Sequence, residues 1–131
     1  MANVIITPMY AAMLGIILLV LSIRVVAVVR AKGGVLYGDG GNPDFTPVIR
    51  GQVNFVEYVP LIVILIAFAE AGGTSATWIH GMGAALVFAR VVHPMGLTSK
   101  TGINPLRFIG TNVTWIILLM ASVLVLINHF H

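Results

Sequence analysis

Four long apolar stretches, separated by short segments rich in glycine, proline and charged residues, make up most of this chain. They predict helices at residues 4–31, 47–71, 77–97 and 106–128. A transmembrane helix needs about 20 predominantly apolar residues, and each stretch reaches that length. The pattern therefore predicts an all-α membrane protein with four spanning helices.

The second stretch is unusual, because its purely apolar part, residues 58–69, is too short to cross a bilayer. A spanning helix here must begin near Pro47 and carry polar residues to membrane depth. With 3.6 residues per turn, Arg50, Asn54 and Glu57 share one helix face. Tyr58 lies beside that face, whereas Gln52 points nearly the opposite way. This helix therefore has a polar stripe.

Composition supports a membrane location and limits the partners and the kinds of chemistry to be expected. Of the 131 residues, 59% are hydrophobic and 8% are charged, whereas about a quarter of the residues in a soluble domain are charged. The basic residues are scattered despite a net charge of +3, so a nucleic-acid partner is not expected. Because the chain has no cysteine, any sulfur chemistry requires a thiol ligand.

The third predicted helix adds Arg90 and His93, which share one face. Unpaired charges in lipid cost several kcal/mol, so Arg50, Glu57 and Arg90 are expected to converge inside the bundle. One interpretation is a structural ion-pair network. The other is a site for an anionic ligand, since basic groups outnumber Glu57 in this layer. The four histidines lack metal-ligand spacing, and no metal is predicted.

Orientation follows from the basic residues at the helix ends. Arg30 and Lys32 lie in the first connection, and Lys100 and Arg107 lie in the third. Cytoplasmic loops carry an excess of Lys and Arg, so both termini are expected to face away from the cytoplasm. The first connection also contains glycine-rich residues 38–42, which are typical of a turn.

Residues 50–61, RGQVNFVEYVPL, resemble the MAPEG family, the membrane-associated proteins in eicosanoid and glutathione metabolism. The resemblance extends to GDGG at residues 38–41 and to FARVVHPMG at residues 88–96, in the form found in the bacterial branch. It covers the whole chain, residues 1–131, as a single membrane domain.

The resemblance implies a homotrimer of four-helix subunits that binds glutathione as co-substrate between neighbouring subunits, near the cytoplasmic face. It implies that Glu57 receives the glutathione amino group and that Gln52 reaches a neighbour's site. Arg90 would complete the polar floor, and Arg30 would line a lateral entrance. The implied glutathione-binding residues are together Arg30, Arg50, Gln52, Asn54, Glu57, Tyr58, Arg90 and His93.

Two positions depart from the glutathione-using eukaryotic members. Their third helix carries two tyrosines a turn apart, where this chain has His93 and Leu97. Family transferases also use an arginine near the start of the fourth helix, which stabilises the thiolate because a nearby guanidinium raises its fraction. Arg107 is the candidate for this catalytic role and Lys100 the alternative, although Asn104 occupies the ungapped position.

The function implied by the resemblance is a glutathione-dependent transferase or peroxidase that acts on lipophilic electrophiles or hydroperoxides in a bacterial inner membrane. One alternative is a non-catalytic lipid-binding accessory protein of the same family. The other is a small proton-coupled multidrug exporter, a class that also has four helices and one intramembrane glutamate. That glutamate usually lies in the first helix, whereas Glu57 lies in the second.

Overall fold

A computed structural model of the protein describes residues 3–97 and 104–131. These residues form four α-helices: α1 (Thr7–Val25), α2 (Thr46–Ala71), α3 (Ala76–Met95) and α4 (Pro105–Phe130). The predicted all-α, four-helix fold is confirmed. After Val25, α1 continues as a π-helix (Val26–Lys32). Both α1 and α4 begin beside a proline, which fits the first turn because those N–H groups have no partner within the helix.

Consecutive helices run antiparallel around an apolar core. The core includes Ile62, Met82, Leu86 and Ile117, all of which are buried. We call the end of the bundle that carries the α1–α2 connection and the start of α4 the loop end. The opposite end, which carries the start of α1, the α2–α3 turn and the end of α4, is the terminal end.

Three of the described helices are long and apolar enough to cross a membrane: Thr7–Lys32, Thr46–Ala71 and Pro105–Phe130. The 20-residue α3 does not reach the same apolar level, since it carries His80, Arg90 and His93. Its length of about 30 Å nevertheless equals the hydrocarbon thickness. Arg90 and His93 are buried inside the bundle, so these two polar side chains avoid lipid although they lower the mean hydropathy of α3.

The α1–α2 connection is held by turns and by one carboxylate. Gly38, Gly40 and Gly41 have φ between 61° and 77°, a region that favours glycine. Asp39 accepts hydrogen bonds from the Gly41 N–H at 2.9 Å and the Thr46 hydroxyl at 2.8 Å. These bonds, with the Gly41 bond contributing most, lower the pKa of the Asp39 carboxyl. The connection therefore returns to α2 in a defined geometry.

Candidate functional site

The polar stripe of α2 lies at the loop end and faces outward from the bundle. Arg50 Nη1 and Glu57 Oε1 are 3.9 Å apart, and the two side chains are 49% and 46% exposed. The residues lie two helical turns apart on one face, as their spacing predicts. Because 3.9 Å is too long for a hydrogen bond, both groups retain capacity to bind a ligand.

Asn54 joins this exposed stripe to the interior of the bundle. Its Oδ1 accepts a hydrogen bond of 2.8 Å from Arg90 Nη1 on α3. The Asn54 side chain is only partly exposed, whereas Arg90 has no exposed surface. Asn54 therefore stands between a solvent-accessible ion pair and a buried cation.

Arg90 of α3 contacts side chains from two other helices, α2 and α4. Its Nη1 also lies 3.4 Å from the Thr114 hydroxyl on α4, and its guanidinium lies 5.5 Å from the centre of the Phe55 ring. Within residues 3–97 and 104–131, Nε and Nη2 have no hydrogen-bond partner and no carboxylate lies within 4.0 Å. The structure thus brings Arg50 and Glu57 together, as expected, but pairs Arg90 with Asn54 and Thr114 instead.

His93 follows Arg90 by one turn of α3 and is also buried, at 3% exposure. No described residue is hydrogen-bonded to its Nδ1. A Cβ placed on Gly110 of α4 would lie 2.6 Å from the His93 Cβ, so glycine allows the two helices to approach closely here. In this chain, the His93 side chain, which replaces one tyrosine of the pair, is not open to the surface. Leu97, at the other position, is partly buried.

The structure places three further residues of the predicted site in contacts within the same chain. Gln52 Nε2 donates to the Ser22 hydroxyl of α1 at 3.0 Å. Arg30 Nη1 donates to the carbonyl oxygens of Val35 at 3.2 Å and Gly38 at 2.8 Å. Tyr58 is partly buried and packs against the apolar core. In this chain Gln52 therefore links α2 to α1, and Arg30 holds the α1–α2 connection.

The candidate catalytic residue, Arg107, lies in the first turn of α4 with an exposed side chain. Its backbone contacts the position that a Cβ on Gly96 would occupy, which places the ends of α3 and α4 close together. Asn104 caps α4, since its Oδ1 accepts from the Leu106 N–H at 2.9 Å. Lys100 lies outside the described residues. Arg107 thus belongs to the loop end, like the α2 stripe.

A groove of about 300 Å³ adjoins the stripe at the loop end. It is lined by Gly38, Asp39, Thr46, Ile49 and Arg50. The groove combines a guanidinium, a carboxylate and an apolar wall, which suits a small zwitterionic ligand. In the described part of the chain, His, Cys, Asp and Glu form no group of three or more that could hold a metal ion. The side chains of the α2 stripe can form ion pairs and hydrogen bonds with a ligand.

Sequence reasoning missed Ser22 and Thr114, the hydroxyl partners of Gln52 and Arg90. Ser22 lies within a long apolar run and Thr114 at the start of one, where a hydroxyl usually forms a hydrogen bond with the backbone of its own helix. Thr114 does so, because it donates to the Gly110 carbonyl at 2.7 Å. The sequence gave only a weak indication that Thr114 contacts another helix, namely that it is a polar residue at membrane depth.

The sequence of this chain is similar to a known family and to two inner membrane proteins. The sequence matches the profile of the MAPEG family over residues 7–127. It is 32% identical over 115 residues to the inner membrane protein YecN of Escherichia coli strain K12, covering 88% of this chain and 86% of that protein. The same values hold for the inner membrane protein YecN of Escherichia coli O6:H1 strain CFT073. With a family match that spans nearly all of its four-helix membrane fold, this chain belongs to the MAPEG family.

Proposed function

We propose that the protein binds glutathione at the loop end and transfers its thiolate to lipophilic electrophiles or uses it to reduce hydroperoxides. The observation that carries the proposal is the half-exposed Arg50 and Glu57 pair on one face of α2. The rise between these residues is about 10 Å, and three extended residues also span about 10 Å. A tripeptide with a free carboxylate and a free amino group matches the two charges and the length of the stripe along the helix axis, while the charged ends of the two side chains lie 3.9 Å apart.

Each group of the stripe has a defined part in this proposal. Glu57 pairs with the ligand's amino group, and Arg50 pairs with a carboxylate as a charge-assisted hydrogen-bond donor. Arg107 lies at the same end with an exposed side chain, and its guanidinium lowers the pKa of the bound thiol. The thiolate then attacks a substrate that enters from the bilayer past the apolar outer surfaces of the helices. With an electrophile, a C–S bond forms as the leaving group departs. With a hydroperoxide, the O–O bond breaks to give an alcohol and a sulfenic acid, which a second glutathione converts to the disulfide and water.

Glutathione binding is tested by isothermal titration of the detergent-purified protein. We expect Glu57→Gln to raise the Kd about tenfold or more, because a charge-assisted bond is lost. Asp44→Asn, which changes an exposed carboxylate in the α1–α2 connection, is the matched control and should bind like wild type. Absence of wild-type binding at millimolar glutathione, or equal binding by Glu57→Gln, contradicts the proposal.

Catalysis is tested separately, with chlorodinitrobenzene and an organic hydroperoxide as substrates. Arg107→Leu is expected to lower kcat about tenfold or more while glutathione still binds, since the guanidinium acts on the thiolate. The second candidate function, a non-catalytic lipid-binding role, is favoured by the burial of His93 where other members carry a ligand-holding tyrosine. Binding without turnover of either substrate supports that candidate.

The assembly and orientation are also proposed. From the family resemblance we infer a homotrimer with glutathione between subunits; in such an assembly the stripe of α2, which faces outward from the single chain, is available to a neighbouring subunit. The basic residues Arg30, Lys32 and Arg107 at the loop end favour a cytoplasmic location for that end and both termini on the other side. Crosslinking in membranes tests the trimer. A reporter fused to the C-terminus tests the orientation, and a cytoplasmic signal from it contradicts the inference.

A further inference from the structure

Thr114 is the contact between α4 and the buried guanidinium of Arg90. It is 1% exposed, and its hydroxyl donates to the Gly110 carbonyl at 2.7 Å. A hydroxyl has one proton to donate and two lone pairs. The lone pairs therefore face Arg90, whose Nη1 lies 3.4 Å away. The same Nη1 donates to Asn54 Oδ1 at 2.8 Å.

This arrangement fixes which end of the Asn54 amide faces the ligand site. A guanidinium has five donors and no acceptor, so the Asn54 side chain must turn its oxygen toward Arg90. Its Nδ2 donor is then directed away from Arg90. With Arg90 held from both α2 and α4, the amide has one orientation instead of two. A donor at this position selects a ligand with a carbonyl or carboxylate oxygen there.

We propose that Thr114 is a positioning residue for the ligand site: it holds Arg90, which holds Asn54 with its Nδ2 donor available to an oxygen of the bound tripeptide. The proposal rests on the proposed glutathione binding for its ligand, but its geometry lies entirely within the bundle. Arg90 in this view acts through Asn54 without touching the ligand, since its side chain has no exposed surface.

The test compares Thr114→Val, which keeps the shape and removes the acceptor, with Thr114→Ser, which keeps the hydroxyl. We expect Thr114→Val to raise the Kd for glutathione about fivefold, in line with one lost hydrogen bond, and Thr114→Ser to stay within about twofold of wild type. Thr111→Val, a partly buried threonine on the same helix, is the matched control. If Thr114→Val cannot be purified, Thr114→Cys supplies a weaker acceptor of similar size.

A second measurement does not depend on glutathione. The side-chain amide resonances of Asn54, assigned by ¹⁵N NMR in detergent, should shift in Thr114→Val and remain in place in Thr114→Ser and Thr111→Val. If wild type does not bind glutathione, the proposed function fails, and the NMR comparison alone decides the role of Thr114. Unchanged Asn54 resonances in Thr114→Val, or equal loss of affinity in the Val and Ser variants, overturn the proposal.

Discussion

The described polar side chains at the two ends of the bundle differ in how many of their polar atoms have hydrogen-bond partners. At the terminal end, the Glu70 carboxylate accepts from the backbone N–H groups of Ile5, Ile6 and Thr7 at 2.6 to 2.8 Å, and from the Thr7 hydroxyl. At the loop end, Arg90 Nε, Arg90 Nη2 and His93 Nδ1 have no partner among the described residues. Both ends contain a glutamate of α2, but Glu57 is half exposed and lies 3.9 Å from Arg50.

This difference distinguishes polar groups that hold the helices together from polar groups that are available to bind a ligand. Buried polar groups in native proteins are nearly always hydrogen-bonded, and the Glu70 contacts satisfy the free N–H groups at the start of α1. Asn128 adds a second link at the same end, since its Nδ2 donates to the Ala69 carbonyl and the Thr74 hydroxyl. Among the described residues, the loop end has buried polar atoms without partners, and such atoms in a native protein need an explanation, for example a role in binding or catalysis.

The largest effect that we predict comes from removing the carboxylate at the terminal end. Glu70→Ala leaves the start of α1 without its acceptor and should lower the free energy of unfolding by about 3 kcal/mol. The matched control is Glu57→Ala on the same helix, which should cost at most about 1 kcal/mol because its ion pair is exposed and long. Thermal unfolding in detergent measures both. Equal destabilisation by the two variants would remove the distinction between the ends.

The next effect concerns the close approach of α3 and α4 at the loop end. In Gly110→Ala, the new Cβ would lie 2.6 Å from the His93 Cβ and 2.9 Å from the Ala89 carbonyl oxygen. The helices must separate, at a cost of about 2 kcal/mol. Gly81→Ala on α3 is the control, since a Cβ there meets nothing within 4 Å and alanine favours the helix. We expect this control to match or exceed wild-type stability.

Gly110→Ala also tests whether ligand binding depends on the packing of α3 against α4. Because Gly110 adjoins His93 and its own carbonyl accepts the hydrogen bond of the Thr114 hydroxyl, the variant should weaken glutathione binding as well as stability. Gly81→Ala should leave binding unchanged. A Gly110→Ala protein with wild-type stability and affinity shows that α3 and α4 are not held at this distance.

The fold was predictable because four predominantly apolar stretches are each about as long as a bilayer requires, and because prolines mark the start of α2 and α4. The α2 stripe was predictable for a similar reason: helical periodicity alone places Arg50 and Glu57 on one face. Pairing between helices was not predictable. Whether Arg90 meets Glu57 or Thr114 depends on the rotation and tilt of α3 against α4, and the order of residues along one helix does not specify either angle.

Glu70 illustrates a different limit. The sequence shows a glutamate at the end of an apolar run, next to a glycine turn, which is typical of a solvated helix end. Three of its four donors are backbone N–H groups. Every residue except proline carries such a group, so no pattern of side chains distinguishes the three that it contacts.

The smallest predicted effect tests the one carboxylate at the loop end that resembles Glu70. Asp39 accepts from the Gly41 N–H and the Thr46 hydroxyl, which lower its pKa. A lowered pKa in the folded protein stabilises the connection above the usual carboxyl range, about pH 4. That contribution is lost as the pH falls through the lowered value.

Hydrogen exchange at the Gly41 amide measures this contribution directly. Protection relative to an unstructured peptide should decrease in wild type as the pH falls below about 4, because the protonated carboxyl is a weaker acceptor. In Asp39→Asn, protection should start lower and stay constant over the same pH range. Since the Asp39 carboxylate is accessible to solvent, the midpoint of global unfolding should hardly change in Asp39→Asn. A large shift in that midpoint would mean that the loop end depends on satisfied polar contacts as much as the terminal end does.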